Sequence, residues 1–208
     1  IVFTGNPVRE NLTSKLNDKT EALEYFGLNG NERVVLIIGG SLGARSINNA
    51  AMKNLDFIAN SGIQVIWQTG AFYFENIQNE IKNKKPENLK IHQFLSRMDL
   101  AYSVADVVIS RAGAGTISEL CLVGKPAILV PSPNVSEDHQ TKNAMALVEK
   151  DAAVMLTDKE IDVKLFQTAF EMVENKELCQ LMATNIKTLA KPEATKTIVD
   201  EVEKLIKQ

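Results

Sequence analysis

The stretch that decides the fold is VVLIIGGSLGAR, residues 34–45. Its first five residues are all apolar, and such an unbroken run is typical of a strand that is covered on both faces of a parallel sheet. A glycine-rich turn follows directly, and the apolar residues after Ala44 recur at helical spacing. The stretch therefore predicts a strand, a tight turn and a helix, which is the repeating unit of doubly wound α/β sheets.

The same unit is repeated along the chain. After the first strand, Val34–Ile38, further strands are predicted at Ile63–Gln68, Leu89–Ile91, Asp106–Ile109, Ala127–Val130 and Ala153–Leu156. Helices are predicted between them at Ala44–Ala59, Tyr73–Lys82, Met98–Val104, Thr116–Val123 and Gln140–Lys150. Strands that alternate with helices in this way form parallel pairs through right-handed crossovers. The predicted fold class is α/β, a Rossmann-like doubly wound parallel sheet of about six strands.

Helices are also predicted on either side of the strand-forming region. The first begins near Asp18, which forms a capping-box spacing with Glu21, and Gly27 is its predicted left-handed stop. After the last strand the chain is predicted to be entirely helical, starting with a second capping box made by Thr157 and Glu160. The sequence contains neither an internal repeat nor a flexible Gly/Ser linker, so a single domain is predicted.

Composition excludes several classes of protein. The 208 residues are 45% hydrophobic and 24% charged, which is ordinary for a globular protein and excludes a wholly disordered chain. The 23 basic residues are outnumbered by 26 acidic ones, so nucleic acid is not an expected partner. No apolar run approaches the roughly 18 residues of a membrane span. The cysteines and histidines show no metal-ligand spacing, and neither a metal nor a cofactor is expected.

The first candidate for chemistry is the glycine-rich turn of residues 39–45. Glycines let the backbone approach a ligand closely, and the helix that follows presents unpaired N–H groups to an anion such as phosphate. Ser41 can add a hydroxyl group. The spacing matches neither the dinucleotide fingerprint nor the P-loop. A turn that serves only tight packing remains the alternative.

A second turn of this kind, SRAGAGTISE, occupies residues 110–119 and again follows a strand. Thr116 and Glu119 have the spacing of a capping box, so the Glu119 carboxylate would then accept a hydrogen bond from a backbone N–H. The functional alternative is that this carboxylate accepts hydrogen bonds from both hydroxyls of a ribose. Two helix N-termini that face one crevice would suit a diphosphate without a metal ion.

A third segment, residues 131–144, follows the fifth predicted strand and is rich in hydrogen-bonding side chains. Gln140 or Asn143 could bind sugar hydroxyls there. The alternative is a solvated loop in which Asp138 caps the next helix. His139 alone is no sign of catalysis, and no serine lies in a Gly-x-Ser-x-Gly elbow.

Four segments taken together are more specific than any one of them. They are GNPVR at 5–9, GGSLGAR at 39–45, SRAGAGTISEL at 110–120 and EDHQTKNA at 137–144. In this order they resemble the carboxy-terminal half of the bacterial peptidoglycan N-acetylglucosaminyltransferases, the MurG-type family with the GT-B fold. The resemblance extends over essentially the whole chain.

The resemblance implies a site for the sugar donor UDP-N-acetylglucosamine. Ser41 and the backbone of Ala114, Gly115 and Thr116 would contact the diphosphate. Glu119 would hold the ribose hydroxyls, and the backbone at Leu95 would face the edge of the uracil. Gln140, with His139 as an additional candidate, would bind the N-acetylglucosamine hydroxyls, and Arg9 would also reach the nucleotide-sugar.

The resemblance also implies a division of labour. Residues 1–208 would form one donor-binding domain, with 1–17 as the linker to an N-terminal acceptor domain outside this chain. That domain would supply the catalytic base and the contact with the cytoplasmic face of the bacterial inner membrane. The complete enzyme would transfer N-acetylglucosamine to lipid I with inversion, giving lipid II, whereas this chain alone would bind the donor without catalysing transfer. The alternatives are another GT-B enzyme, such as a UDP-sugar epimerase or a glycolipid transferase, or a non-catalytic nucleotide-binding domain.

Overall fold

A computed structural model describes residues 1–14, 16, 18–133 and 138–206. Its strands, in chain order, are β1 (Val34–Ile38), β2 (Gln64–Gln68), β3 (Leu89–His92), β4 (Val107–Ser110), β5 (Ala127–Leu129) and β6 (Ala153–Met155). All neighbouring strands are parallel, and they form one sheet in the order β3-β2-β1-β4-β5-β6. This arrangement confirms the predicted fold class.

Helices cover both faces of the sheet. They are α1 (Thr20–Phe26), α2 (Arg45–Lys53), α3 (Leu55–Ala59), α4 (Phe74–Ile81), α5 (Met98–Val104), α6 (Ala114–Val123), α7 (His139–Val148), α8 (Ile161–Glu174), α9 (Lys176–Thr188) and α10 (Ala194–Ile206), with a short 3-10 helix at Glu10–Thr13. In the part of the chain that the structure describes, none of the helices combines the length and the apolar composition needed to cross a membrane.

The side chains of β1 show why its sequence is apolar throughout. Val35 and Ile37 belong to the core on one face of the sheet, with α2, α3, α4 and α8. Leu36 and Ile38 belong to the core on the other face, with α1, α5, α6 and α7. Both pairs of side chains are buried, so neither face of this central strand has an exposed position for a polar residue.

Most of the predicted helices differ from the observed ones by one or two residues at their ends, and one is divided in two. The helix predicted for Ala44–Ala59 is interrupted at Asn54, whose side-chain amide donates to the carbonyl oxygens of Ala50 and Asp162. The helix predicted to begin at Thr116 begins at Ala114, with Gly113 as its N-cap. Asn54 bonds to the first turn of α8 at the point where the first helix is interrupted, and only the folded chain provides this contact.

The predicted capping boxes are also incomplete. Asp18 accepts from the Thr20 backbone N–H, but Glu21 forms an ion pair with Arg97 instead of closing the box. Glu160 accepts from the backbone N–H and the hydroxyl of Thr157, three residues before it. The predicted stop at Gly27 is confirmed, since this residue has φ 61° and ends α1 in the left-handed conformation.

Candidate functional site

The two glycine-rich turns lie side by side at the carboxyl edge of the sheet. They follow β1 and β4, which are neighbours, and Ile38 at the end of β1 is paired with Ser110 at the end of β4. The strand order reverses at this pair, because β2 and β3 lie on one side and β5 and β6 on the other. Ligands of open α/β sheets bind in the crevice at such a switch point.

The turn after β1 is fixed by contact between two glycine backbones. Gly43 has φ +86°, and a Cβ atom added to it would lie 2.1 Å from the carbonyl oxygen of Thr69. Gly70 has φ +85°, and a Cβ atom added to it would lie 2.2 Å from the backbone nitrogen of Gly43. Neither position has room for a side chain. The turns after β1 and β2 are therefore pressed together.

A cavity of about 310 Å³ opens at this switch point. It is lined by Arg9, Ile38, Gly40, Ser41, Gln68, Phe94, Leu95, Met98, Gly115, Thr116 and Glu119. Six residues singled out in the sequence, Arg9, Ser41, Leu95, Gly115, Thr116 and Glu119, thus meet in one place although four separate segments contribute them. Among the described residues of this lining, Arg9 is the only cation and Glu119 the only anion.

The N-terminus of α6 supplies backbone donors to the cavity. The first N–H of this helix with a partner inside it is that of Ile117, which donates to the Gly113 carbonyl at 3.0 Å. The N–H groups of Ala114, Gly115 and Thr116 precede it and have no partner within the helix. Since Gly115 and Thr116 line the cavity, donors and the positive end of the helix dipole lie at its wall.

The N-terminus of α2 contributes less than the sequence predicted. The turn before it brings Gly40 and Ser41 to the cavity, but no described residue of the first turn of α2 is part of the lining. Ser46 in that turn donates to an Asp158 carboxylate oxygen at 2.8 Å and accepts from the Arg111 guanidinium at 2.6 Å. Hydrogen bonds within the protein therefore already engage the Ser46 hydroxyl.

Arg111 joins several loops beneath the two turns. Its guanidinium also donates to the carbonyl oxygens of Val130 and Pro131, at 3.1 and 3.0 Å, and forms an ion pair with Asp158 at 2.7 Å. These partners lie after β5 and after β6. The arginine of the second turn thus has a structural role, since it ties the loops at the carboxyl ends of β4, β5 and β6 to each other.

Glu119 is held in the cavity wall by two neighbours. The hydroxyl of Tyr102 donates to Oε2 of Glu119 at 3.0 Å, and the Arg9 guanidinium lies 3.8 Å from Oε1. Tyr102 is completely buried, and burial followed by the Glu119 charge raises its pKa well above the usual value, so it remains a donor. The capping alternative for Glu119 is wrong, because α6 begins at Ala114 and Glu119 lies well inside the helix.

Gln68 is a cavity residue that the sequence reasoning missed. It ends β2 and reaches two neighbouring segments, donating to the Gly40 carbonyl and accepting from the Leu95 N–H, both at 2.9 Å. The Leu95 side chain itself is buried, so this segment faces the cavity with its backbone as well as with Phe94. A glutamine at the end of a strand gives no signal in the sequence.

The third segment lies beside the cavity. Gln140 accepts from the Ser132 N–H at 2.9 Å, and Asn143 donates to the Ala112 carbonyl at 3.1 Å, which ties α7 to the second turn. Gln140, His139 and Ala114 are not part of the described lining. Asp138 is the N-cap of α7, although its carboxylate accepts from the Thr141 hydroxyl rather than from a backbone N–H. Glu137, which opens the EDHQTKNA segment, lies outside the described residues.

The charges of the site do not suggest a metal centre. Within residues 1–14, 16, 18–133 and 138–206, no group of three or more His, Cys, Asp and Glu side chains is placed to hold a metal ion. The cavity instead combines helix amides, a serine hydroxyl, an arginine and one carboxylate. Such a set can bind an anion at one end and hydroxyl groups at the other.

Comparison with known proteins identifies a matching family and several relatives of this chain. Residues 34–198 match the family described as the glycosyltransferase family 28 C-terminal domain. A protein of Parabacteroides distasonis, named UDP-N-acetylglucosamine–N-acetylmuramyl-(pentapeptide) pyrophosphoryl-undecaprenol N-acetylglucosamine transferase, is 52% identical over 206 residues, which are 99% of this chain and 56% of that protein. The chain spans about half the length of the curated relatives it matches.

Two solved structures have folds similar to that of this chain. MurG of Acinetobacter baumannii superposes with a TM-score of 0.70 at 30% identity, over 98% of this chain and 57% of that one. A UDP-GlcNAc 2-epimerase of Neisseria meningitidis, bound to UDP-GlcNAc, also has a TM-score of 0.70. Its identity is only 17%, with 98% of this chain and 55% of the epimerase covered, so the likeness is one of fold.

Proposed function

We propose that this chain is the half of an N-acetylglucosaminyltransferase that binds the sugar donor UDP-N-acetylglucosamine. The chain belongs to the family of C-terminal domains of family 28 glycosyltransferases. One observation carries this proposal. Six residues from four separate segments, named either for their chemistry or through the family resemblance, line a single cavity at the switch point of the sheet.

The contents of the cavity fit the parts of this ligand. The diphosphate would lie against the α6 amides of Gly115 and Thr116 and the hydroxyl of Ser41, with Arg9 as the nearby cation. Hydrogen bonds to a charged group contribute about 1.5–3 kcal/mol each. Three or four of them have the gross size of a micromolar affinity, about 8 kcal/mol, before the costs of ordering are subtracted.

The other parts of the ligand follow from the position of the diphosphate. Glu119 lies one helical turn beyond the α6 amides, where its carboxylate would accept from the two ribose hydroxyls. The uracil would then extend to the segment at Phe94 and Leu95, which lines the same cavity. We retain Gln140 and His139 as proposed contacts of the sugar, since α7 is tied to the second turn through Asn143 and Ala112.

In the transfer reaction this half would act on the leaving group. When the bond between the sugar carbon and the diphosphate breaks, negative charge develops on the departing phosphate oxygen. Donors that are already oriented toward that oxygen stabilise the charge without reorganisation. In the proposed complex the α6 amides and the Ser41 hydroxyl would be these donors. Activation of the acceptor hydroxyl by a base would belong to the part of the protein outside this chain.

The acceptor and the location are inferred from the relatives. Their name specifies an N-acetylmuramyl-pentapeptide on a pyrophosphoryl-undecaprenol carrier, which is lipid I, and the product would be lipid II of peptidoglycan. Because that carrier is a membrane lipid, we place the complete enzyme at the cytoplasmic face of the inner membrane. Residues 1–17 would be the linker to the acceptor-binding part. They are anchored to this domain by Leu12, which is completely buried.

Binding of UDP by the isolated chain is the direct test. We expect calorimetry with EDTA present to detect both UDP and UDP-N-acetylglucosamine, with dissociation constants between roughly 1 and 100 μM, and no transfer of sugar to an acceptor. ADP serves as the control nucleotide and should bind much more weakly. The absence of heat with UDP, together with unchanged backbone amide resonances over residues 113–119, would contradict the proposal.

Tyr102 provides a milder test of the ribose contact. Replacing it with phenylalanine removes the hydroxyl that orients Glu119 but keeps the buried ring. A hydrogen bond to a charged group contributes about 1.5–3 kcal/mol. Because Arg9 still contacts Glu119, we expect about 1 kcal/mol of this to be lost from binding, which lowers the affinity for UDP about fivefold. The same substitution at the exposed Tyr25 on α1 is the matched control. An affinity for UDP equal to that of the wild type would show that packing alone positions the carboxylate.

A further inference from the structure

Gln68 connects two parts of the cavity that the sequence keeps far apart. It is the last residue of β2 and only 4% exposed. Its side-chain nitrogen donates to the carbonyl of Gly40, in the turn after β1, at 2.9 Å. Its side-chain oxygen accepts from the N–H of Leu95, in the segment after β3, at 2.9 Å. One carboxamide therefore bridges the turns of both strands that flank β2.

The backbone around Gln68 reinforces this bridge. The N–H of Ala71 donates to the Ser41 carbonyl at 3.3 Å, and the N–H of Gly70 donates to the Gln93 carbonyl at 3.1 Å. The turn after β2 is therefore bonded to both neighbouring turns by its main chain. Among these contacts, Gln68 is the side chain that bonds to both sides and also lines the cavity.

The bridge requires a group that both donates and accepts, as the Gln68 carboxamide does. The Gly40 carbonyl can only accept and the Leu95 N–H can only donate, so the residue between them must offer one donor and one acceptor. A carboxylate would offer two acceptors and repel the carbonyl. An aliphatic side chain would satisfy neither group, although the Leu95 residue is buried.

We propose that Gln68 is a positioning residue that fixes the base-binding segment relative to the phosphate-binding turn, and so contributes to selectivity for the nucleobase. This inference rests on the proposed function, because it takes the turn at Gly40 and Ser41 as the phosphate side of the site and the segment at Leu95 as the base side. Gln68 need not touch the nucleotide. It acts on the distance and orientation between the groups that do.

The substitutions Gln68→Leu and Gln68→Glu separate this role from a general role in folding. Calorimetry would compare the affinities of each variant for UDP and CDP, which share the ribose and diphosphate but differ at the base edge. For Gln68→Leu we expect UDP affinity to fall about fivefold and the preference for UDP over CDP to shrink at least threefold. The exposed Gln78 on α4 gives the matched control, Gln78→Leu.

Gln68→Glu adds a titration that a merely structural role would not produce. A protonated carboxyl group has one O–H donor and one carbonyl acceptor and so reproduces the amide, whereas the ionised form does not. Because the side chain at this position is only 4% exposed, burial should raise the pKa of the introduced carboxyl group above its ordinary value, so that the protonated form is present at pH 5.5. We expect UDP affinity close to that of the wild type at pH 5.5 and a loss of at least threefold, relative to the wild type, at pH 8.5. Dividing by the wild-type value at each pH removes the titration of the terminal phosphate of UDP, whose second pKa is about 6.

The outcomes distinguish the two proposals. If the wild type does not bind UDP, the donor-binding function fails and this inference fails with it. If the wild type binds, equal losses for UDP and CDP in Gln68→Leu and a pH-independent Gln68→Glu overturn this inference alone. Should Gln68→Leu fail to fold, the pH dependence of Gln68→Glu decides the question.

Discussion

Glu119→Gln should weaken the binding of UDP more than tenfold and leave the free energy of unfolding nearly unchanged. The carboxylate has the capacity to accept from both ribose hydroxyls, whereas a carboxamide has one acceptor oxygen and no charge. Losing one charge-assisted hydrogen bond costs about 1.5–3 kcal/mol, and about 1.4 kcal/mol corresponds to tenfold. The amide oxygen still accepts from the Tyr102 hydroxyl, so the fold should survive.

Calorimetry with UDP and urea denaturation of the same variant would check this result. Glu174→Gln removes an equal charge from an exposed position at the end of α8 and is the matched control. Unchanged affinity for UDP in Glu119→Gln would mean that this carboxylate does not hold the ribose. A large loss of stability would mean that it acts on the fold through Tyr102 and Arg9.

Gly43→Ala should have the largest effect on stability. The substitution would force alanine to φ +86° and place its Cβ 2.1 Å from the Thr69 carbonyl oxygen. Such a backbone conformation costs about 1–3 kcal/mol for a residue with a side chain, and the clash with main-chain atoms adds to it. We expect the free energy of unfolding to fall by more than about 3 kcal/mol, which lowers the melting temperature by about 6–12 °C.

Gly62→Ala separates the cost of backbone strain from the cost of the clash. Gly62 also has a positive φ, +69°, but nothing lies within 4 Å of an added Cβ. Its substitution should therefore cost only the backbone strain, about 1 kcal/mol. Thermal unfolding of both variants measures the difference. If Gly43→Ala were no worse than Gly62→Ala, the close contact between the turns after β1 and β2 would not be an obligatory part of the fold.

The strands can be predicted from the sequence because strands buried on both faces consist of apolar residues. β1 was predicted residue for residue, since both of its faces are covered and every position is apolar. β2 and β4 each begin one residue later than predicted, at Gln64 and Val107. The residue at which a strand begins or ends depends on where the neighbouring strand can still form backbone hydrogen bonds with it. This is a property of the assembled sheet.

The site was predictable where function depends on local geometry. The pattern of strand, glycine-rich turn and helix predicts two candidate turns, one of them with Ser41, and leaves tight packing as the alternative. The contacts of the Gly115 and Thr116 backbone follow from the family resemblance. The role of Glu119 was left open because the position of the first residue of α6 decides whether it can cap the helix. Gln68 was missed because its meaning depends on Gly40 and Leu95, which are distant in sequence and meet it only in the sheet.

The central position of β1 has a consequence for biosynthesis. Val35 pairs with Val65 on one side and with Val107 on the other. As the polypeptide leaves the ribosome, β1 can join β2 early but must await the emergence of β4. During that interval an entirely aliphatic strand presents an open edge, which is the kind of surface that recruits other chains. We expect the nascent chain to be most prone to aggregate just before β4 and the second glycine-rich turn are synthesised.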